Sequence, residues 1–245
     1  MTKVRLDQLL VIRALAPSRE RARALILAGQ VRVNGATSVK AGTAVDSEAE
    51  LTLITPDHPY VGRGGLKLAH ALDVFHIDVT GREALDIGAS TGGFTDVLLQ
   101  RGARRVVALD VGHGQLDWRI RTDPRVVVKE HVNARFLTPA DIPGPVGIVA
   151  IDVSFISLRH ILPVVPALLA PAADVVALVK PQFEAGREEV GKGGLILDDA
   201  VHVRVVAEIR EAARGIGFEA VAETPSPIAG ATGNREFLLH LRSAR

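Results

Sequence analysis

The 245-residue sequence predicts an α/β protein: a mostly parallel sheet covered by helices on both faces, with a small α+β unit ahead of it. Three observations lead there. From residue 60 onward, short apolar runs alternate with stretches of helical period, the pattern of a sheet buried on both faces. Residues 55–59, Thr-Pro-Asp-His-Pro, form a breaker cluster that separates two units. Residues 1–40 carry eight Lys/Arg against two acids, a net +6, whereas the whole chain is only +1. A basic end on an otherwise acidic protein is the electrostatic footprint expected for a phosphate backbone.

In the first unit, Leu6, Leu9 and Leu10 share one face of a helix over 5–15, which Pro17 stops. Ser18 is placed to cap a second helix through Ala-Arg-Ala-Leu-Ile-Leu-Ala, and Gly29 supplies its left-handed end. Val31 to Val39 alternates around Asn34-Gly35, a hairpin signal, and residues 49–54 read as a further strand.

In the second unit, strands are expected at 83–87, 104–109, 125–128, 147–152 and 173–180. Helices are expected at 66–75, 93–101, 157–170 and 198–215. Residues 218–224 and 235–241 follow one another as strands without a helix between them, and are expected to close the sheet as an antiparallel pair.

Composition narrows the function. There is no cysteine, which excludes disulfides, thiolate metal sites and cysteine nucleophiles and suits a reducing cytoplasm. The eight histidines are scattered without ligand spacing, so no metal is expected. No signal-peptide pattern or membrane-spanning apolar run is present, so no membrane role is expected. Nothing in the sequence marks an obligate protein partner.

The segment richest in chemistry is Ala-Leu-Asp-Ile-Gly-Ala-Ser-Thr-Gly-Gly-Phe-Thr, residues 84–95. An apolar strand ends at Asp86, a glycine turn follows, and a helix starts near Gly93. The carboxyl end of such a strand is where open α/β sheets bind ligands. The next strand ends in Asp110, a carboxylate able to accept from both ribose hydroxyls of a nucleoside cofactor. A dinucleotide site wants G-x-G-x-x-G, and Ser90 stands where its second glycine would be. S-adenosylmethionine carries no phosphates and suits an acid near its amino or sulfonium group, which Asp86 offers. An alternative reading is a hydrolase, because Gly88 to Gly92 matches G-x-S-x-G, with Ser90 as nucleophile and His240 as its late histidine.

Other strand ends carry polar groups. Asp152 is followed by Ser154 and Phe155, Lys180 by Pro181; Glu236 opens the last strand, and Lys67 lies in a basic glycine turn. Together they place two lysines and two carboxylates on one rim, a set suited to taking a proton from a ribose hydroxyl. Phe155 at that rim would stack on a flipped-out base, unless it is a core aromatic.

At these residues the chain resembles a known family. Residues 5–10 and 18–35 resemble the RNA-binding module of ribosomal protein S-four type. Residues 63–68, 86–95, 110–116, 152–158, 178–184 and 234–241 are similar to the TlyA (haemolysin A) family of FtsJ/RrmJ-like methyltransferases. The resemblance implies a Rossmann-like S-adenosylmethionine-dependent methyltransferase sheet and methylation of a cytidine ribose 2′-oxygen in ribosomal RNA, within ribosomal subunits. The short ends match the type associated with large-subunit RNA; the longer type also modifies the small subunit.

The resemblance also implies that Lys67, Asp152, Lys180 and Glu236 are the catalytic tetrad. It puts the cofactor loop on Gly88, Ala89, Ser90, Gly92 and Gly93, the ribose-binding acid on Asp110, and an adenine contact on Asn133. RNA-binding candidates are Lys3, Arg5, Arg19, Arg23 and Lys40. The expected domains are 1–57 for RNA binding, a linker at 58–63, and 64–245 for methyl transfer. Nothing in the sequence reads as a lytic helix.

Overall fold

The computed structural model describes residues 3–38, 40–54 and 58–243. Thr55, Pro56 and Asp57 of the breaker cluster lie outside the described residues. The chain divides into two compact units between Pro59 and Tyr60.

The first unit runs β1 (Lys3–Arg5), α1 (Leu6–Ile12), α2 (Arg19–Leu27), β2 (Val31–Val33), β3 (Ala36–Ser38), β4 (Ala44–Asp46) and β5 (Leu51–Leu53). The Ser18 hydroxyl accepts from the Arg21 N–H and starts α2. Asn34 and Gly35 both have positive φ, as the two-residue turn between β2 and β3 requires. The sheet β3-β2-β5 forms as expected from the alternation, whereas the β1–β4 pair had no signal in its three-residue strands. Leu6, Leu9, Leu10, Ala22, Ile26 and Val31 make the core.

The second unit runs α3 (Gly65–Val74), β6 (Glu83–Ile87), α4 (Gly93–Gln100), β7 (Arg105–Leu109), α5 (Trp118–Arg121), β8 (Val126–Lys129), β9 (Val146–Ile151), β10 (Leu169–Val179), α6 (Pro181–Glu184), α7 (Asp199–Gly215), β11 (Phe218–Pro225) and β12 (Phe237–Ser243). Its seven strands lie in the order β11-β12-β10-β9-β6-β7-β8, and only β12 runs against the others. Alternate strand residues feed two cores, one on each face. Ala84, Val106 and Ile148 pack with α3 and α4, and Leu85, Val107 and Val149 with α7.

Two expectations are corrected. Residues 157–170 are not an α-helix. Pro163 and Pro166 cannot donate to a helical ladder, and the segment resolves into 3-10 turns at Leu158–His160 and Leu162–Leu168 before β10 begins. Residues 60–63, expected in the linker, belong to the second unit. Tyr60 and Val61 pack on its core, and the Val61 N–H donates to Asp96 Oδ2 at 2.8 Å.

The chain lays down β6, β7 and β8 in one direction and then returns to place β9 on the other side of β6. That reversal leaves a crevice at the carboxyl ends of β6 and β9.

Candidate active site

The crevice holds a cavity of about 420 Å³, within the range of small-molecule sites. Its walls include Gly88 and Ser90 after β6, Asp110 and Val111 after β7, Asn133, and Asp152 to Ile156 after β9. Gly88 has φ +90°, and a Cβ there would sit 2.3 Å from the Asp152 carbonyl oxygen. Only glycine lets the two strand ends approach this closely.

Asp110 is fixed before any ligand arrives. Its Oδ2 accepts from the Ser90 N–H at 2.8 Å and its Oδ1 from the Gly112 N–H at 2.7 Å. A carboxylate keeps further lone pairs, and these remain for the cavity. Asn133 Oδ1 accepts from the Arg135 N–H, which presents the residue at the cavity edge.

Asp86 is corrected. Its side chain is fully buried and does not line the cavity. Oδ2 accepts from Thr95 Oγ1 at 2.6 Å at the start of α4, while Oδ1 is buried without a hydrogen-bond partner among the described residues. Burial pushes its pKa up to about 7, with Thr95 opposing and the Asp152 charge adding to the rise. Ala89, Gly92 and Gly93 also stay off the cavity wall. They shape the turn: Gly92 takes φ +95° as the cap of α4, and Gly93 lies so near Gly65 that a Cβ would come within 3.0 Å of the Gly65 nitrogen.

That close packing of α3 on α4 directs Lys67 to the rim. Lys67 Nζ lies 2.5 Å from Glu236 Oε2, a pair separated by 169 residues, and both side chains are buried. Lys180 Nζ lies 2.6 Å from Asp152 Oδ1 as an ion pair and donates to Ser154 Oγ at 2.9 Å. Lys67 stands on α3, and the other three residues flank neighbouring strands. Val179 is in register with Phe237, which puts Lys180 and Glu236 at the same end of β10 and β12. Asp152 closes β9 beside them, and a Cβ on Gly64, just ahead of α3, would lie 3.9 Å from Asp152 Oδ2. All four residues expected at one rim are there.

Phe155 is 92% exposed with φ +62°, so it is no core aromatic. Its ring lies 5.1 Å from that of Phe183, giving an aromatic ledge between the cavity and a second groove bordered by Arg135, His160 and Arg187. Gln115 and Glu184 were not singled out from the sequence, and Ser154 entered only as a neighbour of Asp152. Nothing in their spacing marks them, and only contacts across segments do.

The hydrolase alternative fails on geometry. Ser90 Oγ meets Gln115 Oε1 at 3.3 Å, and no histidine lines the cavity. His240 sits on β12, buried against Phe75, with Nε2 2.8 Å from Asp174 Oδ1. Asp174 also takes Arg82 and Arg242, so the cluster is an ion-pair network around a buried carboxylate in the middle of β10, six residues before Lys180.

In the first unit, the charged candidates divide. Arg5 donates to Asp7 through Nε at 3.0 Å and Nη2 at 2.9 Å, and Arg19 donates to the same carboxylate at 3.2 Å. Asp7 is wholly buried, and the Arg5 hydrogen bond holds its pKa down to about 2 against the cost of burial, with Arg19 assisting. Arg5 and Arg19, expected simply to face RNA, are therefore structural partners first. Lys3, Arg23, Arg32 and Lys40 are exposed and form no ion pair among the described residues.

Known proteins match this geometry. The profile of the FtsJ-like methyltransferases covers residues 60–243, and that of the S4 domain covers residues 4–51. The chain is 49% identical over 242 residues to the 16S/23S rRNA (cytidine-2′-O)-methyltransferase TlyA of Mycobacterium tuberculosis, covering 98% of this chain and 90% of that one. It is 41% identical to Hemolysin A of Brachyspira hyodysenteriae, over 97% of this chain and 99% of that one. A solved structure from Streptococcus thermophilus, provisionally named a hemolysin, is 45% identical and superimposes with a TM-score of 0.78, covering 99% of this chain and 89% of that one. Among the described residues, no helix is long and apolar enough to cross a membrane.

Proposed function

From the premise that this chain belongs to the TlyA family of FtsJ-like methyltransferases and carries an S4 domain, we propose that it methylates the ribose 2′-oxygen of a cytidine in ribosomal RNA, using S-adenosylmethionine. The observation that carries this reading is the meeting of the Lys67–Glu236 and Lys180–Asp152 pairs beside a cavity whose other wall holds Asp110. The cytidine and the ribosomal substrate rest on the name of the Mycobacterium tuberculosis relative. Large-subunit RNA is the proposed main substrate and small-subunit RNA the second. Such an enzyme works in the cytoplasm, on ribosomal subunits.

The cavity fits the methyl donor. Asp110 is held with lone pairs free for two ribose hydroxyls, Gly88 and Ser90 leave room along one wall, and Val111, Val132 and Ile156 offer apolar surface beside Asn133 for a purine. When bound, S-adenosylmethionine supplies a methyl carbon on a good sulfonium leaving group. The chain has two tasks left: to align the 2′-oxygen and to take its proton.

We assign the proton to Lys180 Nζ. An ammonium has no acceptor, so Lys180 must give up one proton before it can take this one, and Asp152 and Ser154 hold its Nζ in place. The Lys67–Glu236 pair flanks it and fixes the far side of the rim. Phe155, exposed at the cavity mouth, stacks on the target base once it leaves its helix. The first unit supplies phosphate contacts through Lys3, Arg23 and Lys40, with the outer faces of Arg5 and Arg19 contributing.

The deciding experiment is transfer of a tritiated methyl group to purified large and small ribosomal subunits, followed by mapping of the modified nucleotide. Label on a base, or on no RNA at all, rules the reading out.

A further inference from the structure

The segments that follow β9 and β10 are tied together at successive points. Lys180 meets Asp152 and Ser154, and Phe183 lies against Phe155. Beyond them, Glu184 Oε2 accepts from Ser157 Oγ at 2.5 Å and Oε1 from the Leu158 N–H at 2.8 Å. The first ties involve groups that face the substrate. Glu184 lines neither the cavity nor the groove beyond Phe155, so its carboxylate serves the chain itself.

Its environment is demanding. Burial pushes the Glu184 pKa above the usual glutamate value, opposed by the Leu158 and Ser157 hydrogen bonds. The Leu158 N–H opens a 3-10 turn and has no acceptor within that turn, so Glu184 satisfies it as a capping group would. Glu184 lies four residues past Lys180, and Ser157 five past Asp152. The clamp thus closes a ring of backbone that runs from the end of β9, across to α6 and back to the end of β10.

Inside that ring sits Phe155 in the left-handed region, where a bulky side chain stays only if its surroundings hold it. The Asp152 N–H, bonded to the Ile87 carbonyl at 2.9 Å, anchors one end of its loop. Ser157 and Leu158, gripped by Glu184, anchor the other.

We propose that Glu184 is a positioning residue: by clamping Ser157 and Leu158 it sets the Phe155 ledge at the spacing from the Lys180–Asp152 pair that seats a base and its own ribose together. The proposal rests on the methyltransferase reading above. A misplacement of about 1 Å at a reacting oxygen is enough to lose about 10²-fold in rate.

The test uses the full chain with Glu184→Gln, Ser157→Ala and the double variant. Single-turnover methyl transfer to ribosomal subunits is measured beside S-adenosylmethionine affinity by calorimetry and the melting temperature. Gln keeps the shape but turns an NH₂ toward one of the two donors. Glu184→Gln should lose about 10- to 100-fold in rate, with a much smaller change in cofactor affinity, because Asp110, Ser90 and Asn133 lie on other segments and only Ile156 of the clamped loop is offered to the purine. Ser157→Ala should lose less, and the double variant little more than Glu184→Gln alone, since both break one link. Rates close to wild type in both single variants overturn the proposal, and Ser157→Ala decides alone if Glu184→Gln does not fold. A loss of rate that only tracks falling cofactor affinity and melting temperature overturns it too. A wild-type enzyme that binds the cofactor yet methylates no RNA fails earlier, and removes the parent reading itself.

Discussion

Arg5 grips the buried Asp7 carboxylate with two nitrogens of one guanidinium, at 3.0 and 2.9 Å, across the junction of β1 and α1. The contact lies within the basic end of the chain and changes what its charges mean. Two of the arginines there spend part of their donor capacity on the fold of the first unit, because a buried carboxylate left without partners is strongly unfavourable.

Arg5→Ala should therefore lower the stability of the first unit, whereas Arg23→Ala and Lys40→Ala should leave it unchanged. Asp7 ionises at about 2 in the folded chain and near 3.9 when unfolded. Its contribution is complete above the unfolded value and is lost as the pH falls through that window. The stability difference between wild type and Arg5→Ala should shrink between about pH 4 and pH 2. Circular dichroism melts across that range check this, and a constant difference refutes it. RNA affinity gives the complementary readout: Arg23→Ala and Lys40→Ala should each reduce the salt slope by roughly 0.7–0.9.

At the rim, Lys180→Ala should slow single-turnover methyl transfer by about 10²–10⁴-fold, the usual worth of a general base. Lys180→Arg should not restore the rate, because a guanidinium stays protonated. The competing role is purely ionic, a partner for Asp152 at 2.6 Å. In that case Arg would serve well. Near-normal transfer by Lys180→Arg would remove Lys180 as the proton acceptor.

Asp86 and Asp110 should separate cleanly. Asp110→Ala is expected to weaken S-adenosylmethionine binding and also to release the Ser90 and Gly112 amides it holds. Asp86→Asn should leave binding nearly intact, since Asp86 is sealed behind Thr95. Its effect should appear in stability. Asp86 ionises at about 7 when folded and near 3.9 when unfolded, so the folded chain holds the extra proton in between. Wild-type stability then falls as pH rises through that window, and Asp86→Asn is spared the loss. Its melting temperature relative to wild type should rise from about pH 4 to pH 7 and then level off. A flat difference, or a large loss of cofactor affinity, would return Asp86 to the binding site.

Phe155→Ala should weaken docking of the target base by about 1–3 kcal/mol, the range found for base–aromatic stacking. Phe155→Leu should recover only part of it. Because Phe155 is almost fully exposed, neither change should move the melting temperature much. Fluorescence of an analogue base placed at the mapped nucleotide reports the docking, and an unchanged signal in Phe155→Ala would deny the ledge its role.

The sequence by itself determined the features written in local or periodic form. Alternating apolar runs specified the parallel sheet. The glycine turn at 88–93 and the polar groups at strand ends marked the edge of the sheet where the cavity lies, and the charge bias set the first unit apart. Even the failure at 157–170 was legible in Pro163 and Pro166, whose missing N–H groups forbid the helix that the apolar pattern suggested. Only the tertiary structure decided the partners. Lys67 and Glu236 are 169 residues apart, and no spacing rule joins them. Asp86 and Asp110 both end strands, yet one is turned into the core against Thr95 and the other stands in the cavity. Arg5 and Arg23 look alike in the chain, yet only Arg5 lies beside a buried acid. Period and composition fix which face of an element is buried. Which charge meets which depends on how whole elements pack, and that is settled by the sum of many weak apolar contacts rather than by any one of the residues that depend on it.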